Sequence, residues 1–216
     1  MSLPKKFDAA LQKSIGARAV WLPGSPIAIG DVMVRRDDRF FKGGTLAQFG
    51  ATMEVKPHAP INGVNIRSTK TKQTIIQAGA EVTQIEGVAD DIEARVRYEF
   101  AGETEFIAKT PNLQGDSIQN MFIVAAAVAA HPAWKHSKFY IVEQTLIADD
   151  WAFVGSDKAS SKFELSGKGS AIKQFLTVGA SVGLTKTSDV GVEFMGSGPV
   201  GMMLVRVRKD GSLDHG

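Results

Sequence analysis

Residues 139–148, FYIVEQTLIA, decide the fold of this chain, because the side chains on both alternating faces of this run are largely apolar. A strand with two apolar faces lies in the middle of a sheet and is covered above and below. Further runs follow, bounded by Gly, Ser, Asp or Pro: WAFVG, KFEL, FLTVGASVGL, VGVEF and VGMMLVRVR. The core is therefore predicted to be a long, mostly antiparallel sheet.

The run FLTVGASVGL, residues 175–184, alternates between two kinds of side chain. One parity holds the larger apolar residues Leu176, Val178, Ala180, Val182 and Leu184. The other parity holds Thr177, Gly179, Ser181 and Gly183. Period-two alternation over about ten residues is typical of a long strand, so we predict a strand here.

Two runs upstream alternate in the same way. In TIIQAGAEVTQ, residues 74–84, the apolar parity is Ile76, Ala78, Ala80 and Val82. In DIEARVRYEF, residues 91–100, Ile92, Ala94, Val96, Tyr98 and Phe100 alternate with Glu93, Arg95, Arg97 and Glu99. Such a strand belongs either to a sheet with one solvated face or to a membrane barrel, apolar outward and polar inward. The pattern leaves both interpretations open.

An N-terminal helix is predicted over residues 4–15, with Gly16 as its C-cap. Its apolar face is Phe7, Ala10, Leu11 and Ile15, and Lys5, Lys6 and Lys13 lie elsewhere on it. A short basic amphipathic helix can lie on an anionic membrane, or it can pack on its own domain.

A second helix is predicted in IQNMFIVAAAVAA, capped by Asp116 or Ser117. Residues 121–130 are apolar nearly all round but too few to span a bilayer, so this helix should be buried on the sheet. The predicted fold is α+β over a single domain, 1–216. It is a long, twisted, mostly antiparallel sheet with an N-terminal helix and a buried apolar helix packed on it.

Composition narrows the class of protein. The 216 residues are 44% hydrophobic and 22% charged, which suits one soluble globular domain. The absence of cysteine excludes disulfides and thiolate metal sites. A formal charge of +2 with scattered basic residues does not favour nucleic acid. We see no signal peptide and no apolar stretch of about 20 residues, so we expect a cytoplasmic protein.

Motifs of catalysis are weak throughout. GSGPVG, residues 196–201, fits the dinucleotide pattern G-x-G-x-x-G, but a strand-like run follows where a helix is needed, so we predict a hairpin turn. Metal-ligand spacing is not found among His58, His131, His136 and His215. Acidic pairs fall at expected turns: Asp37-Asp38, Asp90-Asp91 and Asp149-Asp150. We expect no enzyme, no cofactor and no metal.

The order of elements is a helix, two long alternating strands, an apolar helix and then FYIVEQTLIADDWAFVGSDKASSKFELSGKG. Ile141-Val142-Glu143 with Leu146 forms a V-x-E-like strand with a hairpin partner. A small-residue turn at 196–199 leads into the closing strand 202–207. In this order and in these motifs, over most of its length, the chain resembles the pore-forming domain of the gasdermins.

The resemblance implies a twisted antiparallel sheet with flanking helices that rests as a soluble cytoplasmic monomer. On activation it would form a homo-oligomer on membranes, and regions 74–108 and 140–184 would lengthen into inserted hairpins, in cell death or defence. The membrane-inserting residues would be Ile76, Ala78, Ala80, Val82, Ile92, Ala94, Val96, Tyr98, Phe100, Val178, Ala180 and Val182. Anionic lipid would meet Lys5, Lys6, Phe7 and Lys13.

The chain departs from the gasdermin pattern at its two ends. Gasdermins are normally held inactive by a C-terminal segment that a protease removes, and about nine residues follow Val207 here. We therefore expect a member that works without cleavage or a released fragment. The lipidated N-terminal cysteine of some bacterial relatives has no counterpart.

Two other interpretations stay open. The first is a non-catalytic α+β binding module with an apolar groove for a lipid, peptide or protein partner. The second is a hydrolase or transferase with an unrecognised site.

Overall fold

The computed structural model describes residues 2–21, 26–36, 39–136, 138–181 and 183–215. Val182, the pair Asp37-Asp38 and the side chain of His136, all named above, lie outside the described residues.

Helices and strands alternate along the described chain. The α-helices are α1 Leu3–Ile15, α2 Met121–Ala130 and α3 Gly169–Val178, and short 3-10 helices cover Leu46–Phe49, Ile85–Gly87 and Pro132–His136. The strands are β1 Arg18–Ala19, β2 Asp31–Arg36, β3 Arg39–Thr45, β4 Val55–Pro57, β5 Ile61–Asn62, β6 Asn65–Arg67, β7 Thr71–Gln77, β8 Ala80–Val82, β9 Glu93–Phe100, β10 Glu105–Lys109, β11 Asn112–Leu113, β12 Asp116–Ile118, β13 Phe139–Ser156, β14 Ser161–Lys168, β15 Thr185–Ser188, β16 Val192–Val207 and β17 Leu213–His215.

The strands form a large antiparallel sheet and two smaller sheets. The large sheet has ten strands and runs β1-β16-β13-β10-β6 along its main path. A five-stranded sheet has the order β15-β14-β9-β7-β8, and β11 pairs with β5. The predicted α+β class, with its large antiparallel sheet and N-terminal helix, is confirmed.

The chain divides into two compact units. The first comprises Met1–Ser14, Ile61–Leu113 and Ala148–Gly198, and the second comprises Ile15–Pro60, Gln114–Ile147 and Pro199–Gly216. The long strands β13 and β16 contribute residues to both units. The single domain over 1–216 stays a prediction.

In the first unit, helix α1 buries one face. Leu3, Phe7 and Leu11 are fully buried and, being four residues apart, lie on the same side of the helix. The ring centroid of Phe7 is 5.6 Å from that of Phe106 and 4.8 Å from that of Phe153. The helix predicted over 4–15 is therefore confirmed, and it packs within its own unit.

In the second unit, helix α2 corrects two predictions. Met121, Val124, Ala125 and Val128 are buried, but Phe122 is 81% exposed and Ile123 is 65% exposed. The helix therefore buries one face only, because a helix packed on one side leaves its other side to solvent even when the residues there are apolar. Asn120 occupies the N-cap position. Asp116 and Ser117 belong instead to β12, where β4 pairs with them.

Strands β13 and β16 are longer than predicted. The pair Asp149-Asp150, expected in a turn, lies inside β13. The run 196–201, expected to be a hairpin turn, lies inside β16. Gly196 and Gly198 have φ of 153° and 143°, values that glycine adopts without steric cost. The chain therefore stays extended where its glycine content suggested a reversal. Within the described residues, no helix combines the length and apolar character that crossing a membrane requires.

Candidate functional site

The five-stranded sheet of the first unit holds most of the residues that the gasdermin resemblance implies are membrane-inserting. Strands β9 and β14 are antiparallel over eight residue pairs, from Glu93 opposite Lys168 to Phe100 opposite Ser161. Alternation along β9 is as predicted. Ala94, Val96, Tyr98 and Phe100 are buried, with at most 4% of their surface exposed.

The apolar face of this sheet is covered by helix α3 together with Ile107 of β10 and Ala152 and Val154 of β13. On β14, Phe163 and Leu165 face the same core as the apolar residues of β9. Ile172, Phe175 and Leu176 of α3 complete the cluster and are buried. Fully burying each such side chain stabilises the fold by about 1.5–3 kcal/mol, so α3 is firmly held in this conformation.

The opposite face of the sheet is charged, and its side chains form ion pairs. Arg97 Nε lies 2.9 Å from Glu164 Oε2, and Arg95 Nη1 lies 3.5 Å from Glu164 Oε1. Lys162 Nζ lies 4.0 Å from Glu99 Oε1. The side chains are partly exposed, so each pair contributes at most about 1 kcal/mol. On β9 and β14 the sheet therefore has one apolar face and one face with paired charges, while Gln73 and Gln77 of β7 lie opposite Tyr98 and Ala94 on the apolar side.

The alternation predicted over residues 76–82 is wrong, because the chain reverses inside it. Ala78 and Gly79 have φ of 51° and 80°, the positive values of a two-residue hairpin turn. Ile75 pairs with Val82, and Ile76 pairs with Glu81. Ile75 therefore faces the core in place of Ile76, and Ala80 and Val82 lie on a separate short strand.

The strand predicted over 175–184 is also wrong. Leu176 and Val178 belong to helix α3, and Ala180 follows its end. Ile172, Phe175 and Leu176 recur at helical spacing, which sets the buried face. Gly179, with φ of 88°, ends the helix. Val178 is 48% exposed.

Ile92 lies one residue before β9 and is 50% exposed. The prediction that it continues the apolar face is wrong for this conformation. Its carbonyl oxygen accepts hydrogen bonds from the Gly169 amide, at 2.9 Å, and from the Gln77 side chain, at 3.1 Å. These bonds hold the chain in a bend before the strand begins.

The residues expected to meet lipid lie on α1. Phe7 is fully buried, and Lys6 Nζ lies 2.6 Å from Glu105 Oε1. Lys5 and Lys13 are exposed. Burial alone would raise the pKa of Glu105, but hydrogen bonds from Lys6, Ser68 and the Lys70 amide lower it below its ordinary value. In this conformation Phe7 is unavailable to lipid, and lipid contact by α1 stays a prediction.

A polar cleft in the first unit was not anticipated from sequence. Its volume is about 450 Å³, and its polar lining is Asn65, Arg67, Gln73, Tyr98 and Lys109. Lys109, at the end of β10, is 5% exposed. Its Nζ donates to the Leu176 carbonyl at 3.0 Å and lies 5.5 Å from the centre of the Phe175 ring. The lining is polar, unlike the apolar groove that the binding-module interpretation expects.

Burial shifts the pKa values of Lys109 and Tyr98 in the cleft. Burial, and secondly the positive charge of Arg67, lower the pKa of Lys109 to about 8. Burial raises the pKa of Tyr98 well above its ordinary value. The signal that could have found Lys109 is its position, since it ends the apolar run FIAK, where a lysine on a central strand is unusual.

In the described part of the chain, the histidines and the acidic pairs do not gather into a metal-binding cluster. His58 contacts the Ala59 and Thr145 carbonyl oxygens at 2.8 and 3.0 Å. His215 Nδ1 lies 3.1 Å from Glu143 Oε1. His131 ends α2. Among the described residues, no three His, Asp or Glu side chains come together as metal ligands.

Comparison with solved structures finds a similarity in overall fold. The chain is similar to a bacterial gasdermin from Bradyrhizobium tropiciagri, with a TM-score of 0.40 and 13% sequence identity, over 97% of this chain and 90% of that chain. Because the TM-score is below 0.5, we take no functional conclusion from it. No protein-family model and no curated protein sequence matches the chain.

Proposed function

We propose that this chain is a membrane pore-forming protein whose copies assemble and insert two amphipathic β-hairpins each into a bilayer. The observation that carries the proposal is the five-stranded sheet. In it, the antiparallel pair β7–β9 meets the pair β14–β15 through the contact of β9 with β14. The pair β7–β9 overlaps region 74–108 and strand β14 lies within region 140–184, the two regions in which the gasdermin resemblance implies insertion.

The two faces of this sheet suit the two environments of a membrane barrel. A transmembrane strand turns apolar residues to lipid and polar residues to the lumen. The face of Val96 and Leu165 is apolar, and the face of Arg97 and Glu164 is charged. Insertion would exchange protein core for lipid on the first face and leave the ion pairs in water on the second.

Helix α3 is one of the elements that must move, since Ile107 of β10 and Ala152 and Val154 of β13 belong to the same buried cluster. The helix covers the apolar face, and it lies in the connection between β14 and β15. Strand β14 has eight residues, fewer than the 9–11 of a transmembrane strand, so insertion requires residues from that connection. The period-two pattern of 176–184 meets this need, because the same residues are apolar on alternate positions once extended.

Assembly follows from the edges of the sheet. Strands β8 and β15 are its two edges, and open sheet edges do not occur in the hydrocarbon region of a bilayer. Several copies must therefore close a barrel together. The lysines of α1 support anionic lipid as the target surface, and a cytoplasmic resting protein would move to it on activation, in cell death or defence.

Single-cysteine labelling tests the proposal directly, because the natural chain contains no cysteine. Val178→Cys and Thr177→Cys place an environment-sensitive dye at neighbouring positions of α3 that are both exposed in the resting conformation. On vesicles containing anionic lipid, we expect the dye at 178 to enter lipid and the dye at 177 to stay in water. Dye release from the same vesicles should rise steeply with protein concentration.

The resting protein without vesicles is the control, and there both dyes should report water. Two results would contradict the proposal. One is leakage while both positions stay equally hydrated, which would exclude strand formation by this segment. The other is no leakage at any protein concentration or lipid composition.

A further inference from the structure

Two positive side chains share the polar cleft without an acidic partner. Arg67 and Lys109 lie on the neighbouring strands β6 and β10, where Arg67 is opposite Ile107 and Asn65 is opposite Lys109. In the described part of the chain, neither forms an ion pair with a carboxylate. Arg67 is exposed and Lys109 is buried, and a buried ammonium near a second positive charge is costly unless an opposite charge joins it.

Tyr98 adds a buried donor that is also without a partner. Its side chain is 0% exposed, and its hydroxyl has no hydrogen-bond partner among the described residues. Buried polar groups are usually hydrogen-bonded, so an orphaned hydroxyl lining a cleft needs an explanation. The hydroxyl of Tyr98 is able to donate to a ligand in that cleft.

Neutral amides complete the polar lining. Gln73 lies opposite Tyr98 across β7 and β9. Gln73 Oε1 accepts from Arg67 Nη1 at 3.4 Å, which leaves the Gln73 amino group to donate elsewhere. Asn65 offers a second amide. The cleft therefore offers donors from four strands, β6, β7, β9 and β10.

We propose that this cleft binds a phosphate monoester. Two positive charges with donors converging from several strands match a tetrahedral dianion better than a carboxylate. Ile107 and Leu176 also line the cleft, and its volume of about 450 Å³ leaves room for a small organic group beside the phosphate. The phosphate would contact Lys109, Arg67 and Tyr98, and the organic group would lie against the two apolar side chains.

Isothermal titration calorimetry with inorganic phosphate and with glycerol 3-phosphate tests the proposal on the full chain. We expect saturable binding with one site per chain, tighter for the monoester. Lys109→Met should weaken binding by about 10-fold or more, and Tyr98→Phe by about 10-fold, because each removes a hydrogen bond to a charged group. Both variants keep the shape of the side chain, so the fold should survive, and circular dichroism checks this.

Lys162→Met is the matched control. Lys162 is an exposed lysine of the same unit, on the charged face of β14, and its loss should leave phosphate affinity unchanged. No binding by the natural protein would overturn the proposal. Equal weakening in the Lys109 and Lys162 variants would also overturn it, because binding would then be a nonspecific effect of charge.

Binding to vesicles distinguishes a lipid headgroup from a soluble phosphate monoester as the ligand. Phosphatidic acid carries this group as its headgroup, so we would compare sedimentation with vesicles of phosphatidic acid in phosphatidylcholine and with pure phosphatidylcholine. If Lys109→Met abolishes vesicle binding and glycerol 3-phosphate competes with it, the ligand of the cleft is a lipid headgroup. Calorimetric binding of glycerol 3-phosphate with vesicle binding independent of Lys109 would assign a soluble ligand. Either result supports the proposed site.

Discussion

At the scale of single residues, the polar groups of the cleft act against stability in the unliganded protein. Lys109 is 5% exposed, and the buried Tyr98 hydroxyl is without a partner in the described structure. Burying an unpaired polar group costs about 1–3 kcal/mol. A fold that keeps such groups has a reason beyond its own stability, and ligand binding supplies one.

The titration of Lys109 should be visible in the stability of the protein. Its pKa is lowered from 10.5 to about 8 in the folded state. Between these values the unfolded chain binds the extra proton, so the free energy of unfolding should rise with pH from about 8 to 10.5, by up to about 3 kcal/mol. Urea unfolding across this range measures it.

Lys109→Met should remove that rise, and Lys162→Met should keep it. Arg67 stays charged throughout the range and adds no titration of its own. Above pH 10 the raised pKa of Tyr98 acts in the opposite direction and reduces the rise. A rise that persists in the Lys109 variant would mean that another group titrates there.

At the scale of elements, helix α1 packs through its apolar face and also pairs Lys6 with Glu105. Lys6→Met should lower the free energy of unfolding at pH 7 by about 1–3 kcal/mol, because it leaves the buried Glu105 carboxylate without its cation. The pKa of Glu105 is below its ordinary 4.5. This stabilisation is therefore present above pH 4.5 and is lost as pH falls through the folded-state pKa.

Chemical unfolding of the Lys6 variant and the natural protein at pH 7 and in acid checks this. The difference between them should shrink in acid. Lys13→Met, at an exposed position of the same helix, should show no pH-dependent difference. A Lys6 effect that is constant with pH would show that the methylene stem of the side chain matters more than its charge.

Helix α3 should control the rate of the proposed insertion. Ile172 is fully buried against the sheet, so Ile172→Ala should lower the free energy of unfolding by about 2–5 kcal/mol. Because α3 must leave the apolar face first, the same variant should release dye from anionic vesicles faster. Gln174→Ala, on the exposed side of the helix, serves as the control. Slower leakage in a folded Ile172 variant would argue against movement of α3.

At the scale of the whole molecule, the two proposals are coupled. The cleft is built from β6, β7, β9, β10 and α3, and insertion would separate these elements. A ligand that binds only the resting conformation stabilises it by about 2.7 kcal/mol at a concentration 100 times its Kd. Glycerol 3-phosphate should therefore slow vesicle leakage by the natural protein and not by Lys109→Met. If glycerol 3-phosphate slows leakage by the natural protein and by Lys109→Met equally, the slowing is caused by ionic strength.

The α+β class, helix α1 and the two faces of β9 could all be predicted from the sequence. These follow from local periodicity, because Phe7 and Leu11 recur at helical spacing and Val96 and Arg97 alternate at strand spacing. The same rule failed at 76–82, where a two-residue turn at Ala78 reverses the chain, and at 175–184, where helical and strand periods both fit.

Which element covers each apolar face depends on long-range packing. The apolar face of β9 could have met lipid or protein, and here α3 covers it together with side chains of β10 and β13. Helix α2 is apolar all round, and packing alone selects which side is buried. The polar cleft was also invisible in the sequence, because Arg67, Tyr98 and Lys109 are distant along the chain. Long-range pairing of strands brings them together, and no local pattern encodes that pairing.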